Sequence, residues 1–89
     1  MMAKGPGAQG KRDVSKLDRL ALLGGPQAGA AAFDAAFILQ LAPPTDNAKA
    51  FWGDLQQRYQ RAALRLTGVR KQQALDAATA AGETQKAIP

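Results

Sequence analysis

The segment from Thr45 to Ala81 constrains the fold of this chain most, because it is long, contains no proline and carries a helical apolar period. It follows directly after Pro43-Pro44, a pair that interrupts helices. Its apolar side chains recur at steps of three and four residues, at Trp52, Leu55, Tyr59, Ala62, Leu66 and Val69. This spacing places them on one side of an α-helix. The sequence therefore predicts one long amphipathic helix over about residues 46–80.

A short helix is predicted near the N-terminus, beginning at Asp13. An aspartate there is a good N-cap, and the apolar residues that follow share one helical face. Gly24-Gly25-Pro26 closes the segment, since glycine suits the left-handed position after a helix. About ten residues make a helix that is marginal in water. We therefore expect it to dock on another part of the chain.

A second helix is predicted from Gln27 to Leu41. Phe33, Phe37 and Leu41 lie on one of its faces at i, i+4 and i+8. We expect this helix to fold back across Pro43-Pro44 as a hairpin. Its three large side chains then pack against the long helix, at Trp52, Leu55 and Tyr59.

The fold class that follows is all-α, because β-branched residues are rare and never alternate with polar ones. We predict a helical hairpin with one long C-terminal amphipathic helix and a short N-terminal helix. The glycine- and lysine-containing residues 1–12 are predicted to form a flexible basic arm. Residues 13–81 form a single helical domain, and residues 82–89 a flexible tail.

The chemistry available to the chain is narrow. It contains neither cysteine nor histidine, so a thiolate site and the usual general base near neutral pH are both missing. Ser15 is the one serine, and no histidine exists to activate it. We therefore predict a protein that is not an enzyme, with no catalytic residue, no metal site, no cofactor and no small-molecule substrate.

Helix lengths point to a partner. A helix over residues 46–80 is about 50 Å long, whereas the two shorter helices together supply about 37 Å to cover it. The leftover apolar surface predicts self-association or a protein partner. The residues expected to face that partner are Ile38, Leu39, Leu64, Val69 and Leu75. We accordingly predict a structural or adaptor subunit of a larger assembly, such as a virion, with both termini extended as arms.

A basic face offers an alternative function. The chain has a net charge of +5, and Arg58, Arg61 and Arg65 form a row on the polar side of the long helix, with Arg70 and Lys71 beyond. Such a row can follow the phosphates of nucleic acid. It lacks accompanying aromatic residues for base stacking, and a solvated helix face shows the same pattern. A small nucleic-acid-associated protein is thus the second hypothesis.

A third hypothesis comes from a resemblance. The stretch AFWGDLQQRYQRAALRL resembles the amphipathic helices of granule-coating phasins and of small viral accessory proteins. The similarity is one of pattern over seventeen residues, without a diagnostic motif. It implies a protein that coats a lipid or polymer surface. No apolar run reaches the roughly 18–20 residues that span a bilayer, so we expect no membrane partner and a cytoplasmic location, or one inside a virion.

Overall fold

A computed structural model describes residues 8–89 of the chain. Four α-helices follow one another along these residues, and no strand occurs among them. They are α1 (Ala8–Leu23), α2 (Ala28–Leu41), α3 (Ala48–Ala63) and α4 (Gly68–Ala87). The all-α prediction is confirmed.

Part of each predicted terminal extension is helical in the structure. Residues 1–7 of the predicted basic arm lie outside the described residues, and residues 8–12 form the first turns of α1. The predicted tail from residue 82 is helical instead, because α4 continues to Ala87. The Lys49 ammonium donates a hydrogen bond to the Ile88 carbonyl at 3.3 Å, and the Gln85 amide donates one to the Lys49 carbonyl at 3.0 Å. The C-terminal end therefore lies against the start of α3.

The predicted long helix is two helices. The chain leaves α3 after Ala63 and enters α4 at Gly68. Gly68 has a φ of +60°, in the left-handed region that glycine adopts without steric cost. A right-handed helix cannot continue through such a residue. The prediction of one continuous helix is wrong in this respect, and the turn reverses the direction of the chain.

The turn lets α4 pack along α3. Its buried face consists of small residues only, namely Ala74, Ala78, Ala81 and Gly82. Gly82 lies against the side chain of Gln56, and Gly53 lies in turn against Gln85, so the two helices approach closely. Helix lengths predict that the last third of the long helix has no partner within the chain, and this prediction is wrong. The Cα radius of gyration is 12.9 Å, close to the roughly 12 Å expected for a compact domain of this length.

The core lies where α2, α3 and α4 meet. Leu55 and Tyr59 are its largest fully buried side chains, and Ala36, Ala78 and Ala81 complete it. The Phe33 ring packs against the Tyr59 ring with centroids 5.4 Å apart. The Tyr59 hydroxyl donates a hydrogen bond to the Gln40 side-chain oxygen. The edge of α2 that faces α3 thus carries Phe33, Ala36 and Gln40.

The hairpin prediction is accordingly right for Phe33 and wrong for Phe37 and Leu41, both of which are exposed. At 100° per residue, Phe37 and Leu41 lie far enough around α2 from Ala36 and Gln40 to turn away from α3. Trp52 is half-buried at the edge of the core, not at its centre.

The helix α1 packs on α2 through Val14, which is buried. Near its start, α2 packs against the turn between α3 and α4 at Gly29, where a Cβ atom would lie 2.5 Å from the Arg65 carbonyl oxygen. Only glycine allows this approach, since the obstructing atom belongs to the backbone. These two contacts fix α1 and α3 on the same helix, α2.

Candidate protein-binding site

A groove runs between α1 and α3, with α2 as its floor. We call it the arginine groove, and its volume is about 620 Å³. Ala32 forms the floor. The walls carry Asp18, Ala21 and Leu22 from α1 and Asp54, Arg58, Arg61, Leu64 and Arg65 from α3 and the turn after it. It is the feature of the described chain that brings most of the predicted arginines together.

An ion pair closes the middle of the arginine groove. The Arg58 guanidinium donates two hydrogen bonds to the Asp18 carboxylate, at 2.9 and 3.3 Å. This fork-to-fork arrangement is the most directional that an arginine and a carboxylate form. Both side chains stay partly exposed to solvent. Arg58 therefore ties α3 to α1.

A second arginine closes one end of the groove. The Arg65 guanidinium donates a hydrogen bond of 2.7 Å to the Ala21 carbonyl oxygen. That carbonyl belongs to the last turn of α1, where helical carbonyls lack intrahelical partners. Lys71 satisfies a carbonyl at the end of α3 in the same way, because its ammonium donates a hydrogen bond of 3.1 Å to the Ala63 carbonyl oxygen. Arg65 and Lys71 thus act as caps on helix ends.

The five predicted nucleic-acid-binding cations consequently divide into two groups. Arg58, Arg65 and Lys71 are bonded to atoms of the chain itself. Arg61 and Arg70 are exposed and have no hydrogen-bond or ion-pair partner within residues 8–89. Periodicity alone does not separate these groups, because the positions of α1 and of the turn decide which cation finds a partner.

Two leucines stand at the rim of the arginine groove. Leu22 at the end of α1 is 86% exposed, and Leu64 directly after α3 is 79% exposed. They lie at the same end of the molecule, because the Arg65–Ala21 hydrogen bond joins their chain neighbours. Together with the unpaired Arg61 they form what we call the leucine rim. Leu22 is absent from the sequence-based partner list, since a short helix with a broad apolar surface does not show which leucines dock inward.

The five predicted partner-facing residues have different surroundings. Leu64, Val69 and Leu75 are exposed, as expected for a contact surface. Leu39 packs against the core, so it is a structural residue here and the prediction is not supported by its position. Ile38 is half-buried and lies in a second groove.

The second groove lies between α1 and α2, and we call it the phenylalanine groove. Its volume is about 440 Å³, and it is lined by Asp13, Lys16, Leu17, Leu20, Asp34, Phe37 and Ile38. Phe37 is 51% exposed there. The sequence pattern does not reveal this groove, because the i, i+4 spacing of Phe33 and Phe37 predicts that Phe37 packs on the long helix.

Within residues 8–89, one titratable group has a pKa that is clearly shifted from its ordinary value, the phenol of Tyr59. Burial raises the pKa of the Tyr59 phenol, since desolvation disfavours the phenolate. Tyr59 belongs to the core and faces neither groove. Its shift is therefore a property of the core and identifies no reactive site.

Within residues 8–89 no three metal-ligating side chains lie together as a metal site requires. None of the helices in this part of the chain has the length and hydropathy to cross a membrane. Comparison of the chain with protein-family models, with curated proteins and with solved structures finds no match to any of them.

Proposed function

We propose that this protein is a non-enzymatic adaptor subunit of a larger assembly and that it binds a protein partner at the arginine groove. The observation that carries the proposal is the leucine rim. Leu22 and Leu64 project almost fully into solvent on both sides of one groove, although the rest of the chain closes a core without them. Apolar side chains paired in this way across a concave surface are typical of a protein contact.

The composition of the groove suits a protein contact. Burying a leucine side chain contributes about 1.5–3 kcal/mol, so two leucines supply a hydrophobic centre. Arginine is enriched at such interfaces, and Arg61, which lines the groove with the leucines and the Arg58–Asp18 ion pair, has no partner of its own within residues 8–89. That ion pair holds the two walls at a fixed separation before binding, which reduces the ordering cost.

A nucleic-acid contact is the second candidate, and its support is the exposure of Arg61 and Arg70. Two free cations give a weak electrostatic contact, because specific binding usually draws on about six or more phosphate contacts. Arg58 adds little to this contact, because the carboxylate of Asp18 offsets its charge. The geometry therefore favours a protein partner over nucleic acid.

Site-specific photocrosslinking in the cells that make this chain tests the proposal. A benzophenone amino acid replaces Leu22, Leu64 or, as the control, Gln73, an exposed residue of α4 outside the groove. We expect positions 22 and 64 to give the same crosslinked protein band and position 73 to give none. The crosslinked protein is then tested with the purified chain, where Leu64→Asp should weaken binding at least about tenfold and Gln73→Asp should not.

Two outcomes would overturn the proposal. Crosslinks that disappear after nuclease treatment would assign the groove to nucleic acid. Different proteins at positions 22 and 64, or no crosslink at either, would show that the leucine rim does not form one binding surface.

A further inference from the structure

The phenylalanine groove carries an inference that goes beyond the proposed function and does not depend on it. Both α1 and α2 line this groove with residues at helical spacing. Asp13, Lys16, Leu17 and Leu20 lie on α1 at i, i+3, i+4 and i+7, and Asp34, Phe37, Ile38 and Leu41 lie on α2 at the same spacing. This period marks the face of a helix that packs against further helices. We infer that a second copy of this chain binds there and forms a two-fold symmetric dimer.

The hairpin of α1 and α2 has room for a second hairpin on this side. Asp18 and Ala21 of α1 contact Arg58 and Arg65 in the same order along the chain, so α1 runs parallel to α3. The helix α2 runs antiparallel to both, with Gly29 near Arg65 and Gln40 near Tyr59. The lining of the phenylalanine groove comes from α1 and α2 alone, and no residue of α3 or α4 contributes to it. Two such hairpins placed face to face form a four-helix arrangement with an apolar centre.

The charged side chains that line the groove favour a second copy of the chain as its binding partner. Lys16 on α1 and Asp34 on α2 lie at the edges of the groove, and neither has a partner within residues 8–89. Asp13 is different, because it accepts a hydrogen bond of 3.0 Å from the Gln9 amide in its own helix. In a two-fold dimer a contact between residues i and j occurs twice. One copy's Lys16 then meets the other copy's Asp34, and both free charges are paired.

The size of the surface sets the strength of the dimer. A face of two helices, each about three turns long and about 10 Å wide, covers on the order of 400 Å² per copy. The total is below the roughly 1,200 Å² of standard interfaces, which places the dimer in the weak class. We therefore expect a reversible dimer that dissociates in the micromolar range.

Sedimentation equilibrium of the full chain between about 5 and 500 µM tests the inference. The wild-type protein should shift from monomer to dimer over this range. Phe37→Asp should stay monomeric with an unchanged helical circular dichroism spectrum, since Phe37 is half exposed and outside the core. Gln73→Asp is the control, because Gln73 is an exposed residue of α4 outside both grooves, and this variant should dimerise like the wild type. The milder variant Phe37→Ser should dimerise less tightly than the wild type and more tightly than Phe37→Asp.

Charge exchange tests the pairing itself. Lys16→Asp and Asp34→Lys should each weaken the dimer about tenfold, because each places like charges opposite one another. The double variant recreates both ion pairs in reverse and should recover the wild-type dimer. A wild-type monomer at about 500 µM, a dimer that persists in Phe37→Asp, an assembly larger than a dimer, or a double variant as weak as the single ones would each overturn the inference.

Discussion

Arg58 of α3 holds Asp18 of α1 through two hydrogen bonds, at 2.9 and 3.3 Å, although forty residues separate them in the sequence. Their side chains are 30% and 40% exposed, so solvent screens the attraction. We predict a coupling free energy of about 0.5–1 kcal/mol, because the bidentate geometry is good and the site is only partly buried.

A double-mutant cycle with Asp18→Asn and Arg58→Gln, measured by urea unfolding, checks this value. Arg61→Gln is the control, since Arg61 lines the same groove and has no partner in the described part of the chain. Its loss should change stability by less than about 0.5 kcal/mol. The coupling should also decrease at high salt. A coupling of zero would show that α1 stays docked without the ion pair.

The second prediction concerns alkaline pH and Tyr59. Burial raises the pKa of this phenol in the folded state above its ordinary value of about 10. As the pH rises past 10, the unfolded chain loses the phenolic proton first, so it binds fewer protons than the folded chain. The free energy of unfolding must then fall, by up to about 1.4 kcal/mol per pH unit.

Tyr59→Phe isolates this contribution. The variant lacks the titrating group, so the difference in unfolding free energy between wild type and variant should be constant below about pH 9 and should shrink above about pH 10. Lysine titration affects both proteins alike and cancels in the difference. Two curves that remain parallel up to about pH 11 would contradict the burial effect on the phenol.

The third prediction ranks three apolar truncations. Leu55 is fully buried, Trp52 is half-buried and Leu41 is exposed. Leu55→Ala should cost about 2–5 kcal/mol, because it removes buried area and leaves a cavity. Trp52→Ala should cost less than Leu55→Ala, and Leu41→Ala should cost less than about 0.5 kcal/mol. Chemical denaturation measures all three losses of stability. Equal losses for Leu41→Ala and Leu55→Ala would indicate that α2 packs on α3 through the face that carries Phe37 and Leu41, as the sequence predicts.

The helical fold class and the two breaks on either side of α2 follow from the sequence for clear reasons. Gly24-Gly25 and Pro43-Pro44 are strong breakers, and the stripe through Leu55 and Tyr59 is strong enough to identify α3. The break before α4 does not follow, because Leu66 and Val69 keep the stripe in phase across it. The buried face of α4 is made of alanine and glycine, which give no apolar period.

The site is less accessible to sequence reasoning than the fold. Arg58, Arg61 and Arg65 line one groove, although Arg65 lies in the turn after α3 and not on the helix. Which of them stays free depends on the docking of α1, and no pattern in the sequence links Asp18 to Arg58 across forty residues. The docking of α1 also explains why Leu22 is exposed to solvent and why Phe37 lines a groove and not the core.

The last prediction uses Gly68 to distinguish one long helix from two. A glycine inside a continuous helix destabilises it by about 1 kcal/mol relative to alanine, so Gly68→Ala would then stabilise the protein. In the structure Gly68 has a φ of +60°, and nothing lies within 4 Å of the Cβ position. The substitution therefore carries backbone strain alone and should destabilise the protein by about 1–2 kcal/mol. Gly68→Asn is the matched variant, because asparagine tolerates the left-handed region better than alanine but is the poorer helix former. In thermal and urea unfolding, the wild type should be the most stable protein, followed by Gly68→Asn and then Gly68→Ala. If Gly68→Ala were the most stable of the three, the helix would be continuous instead.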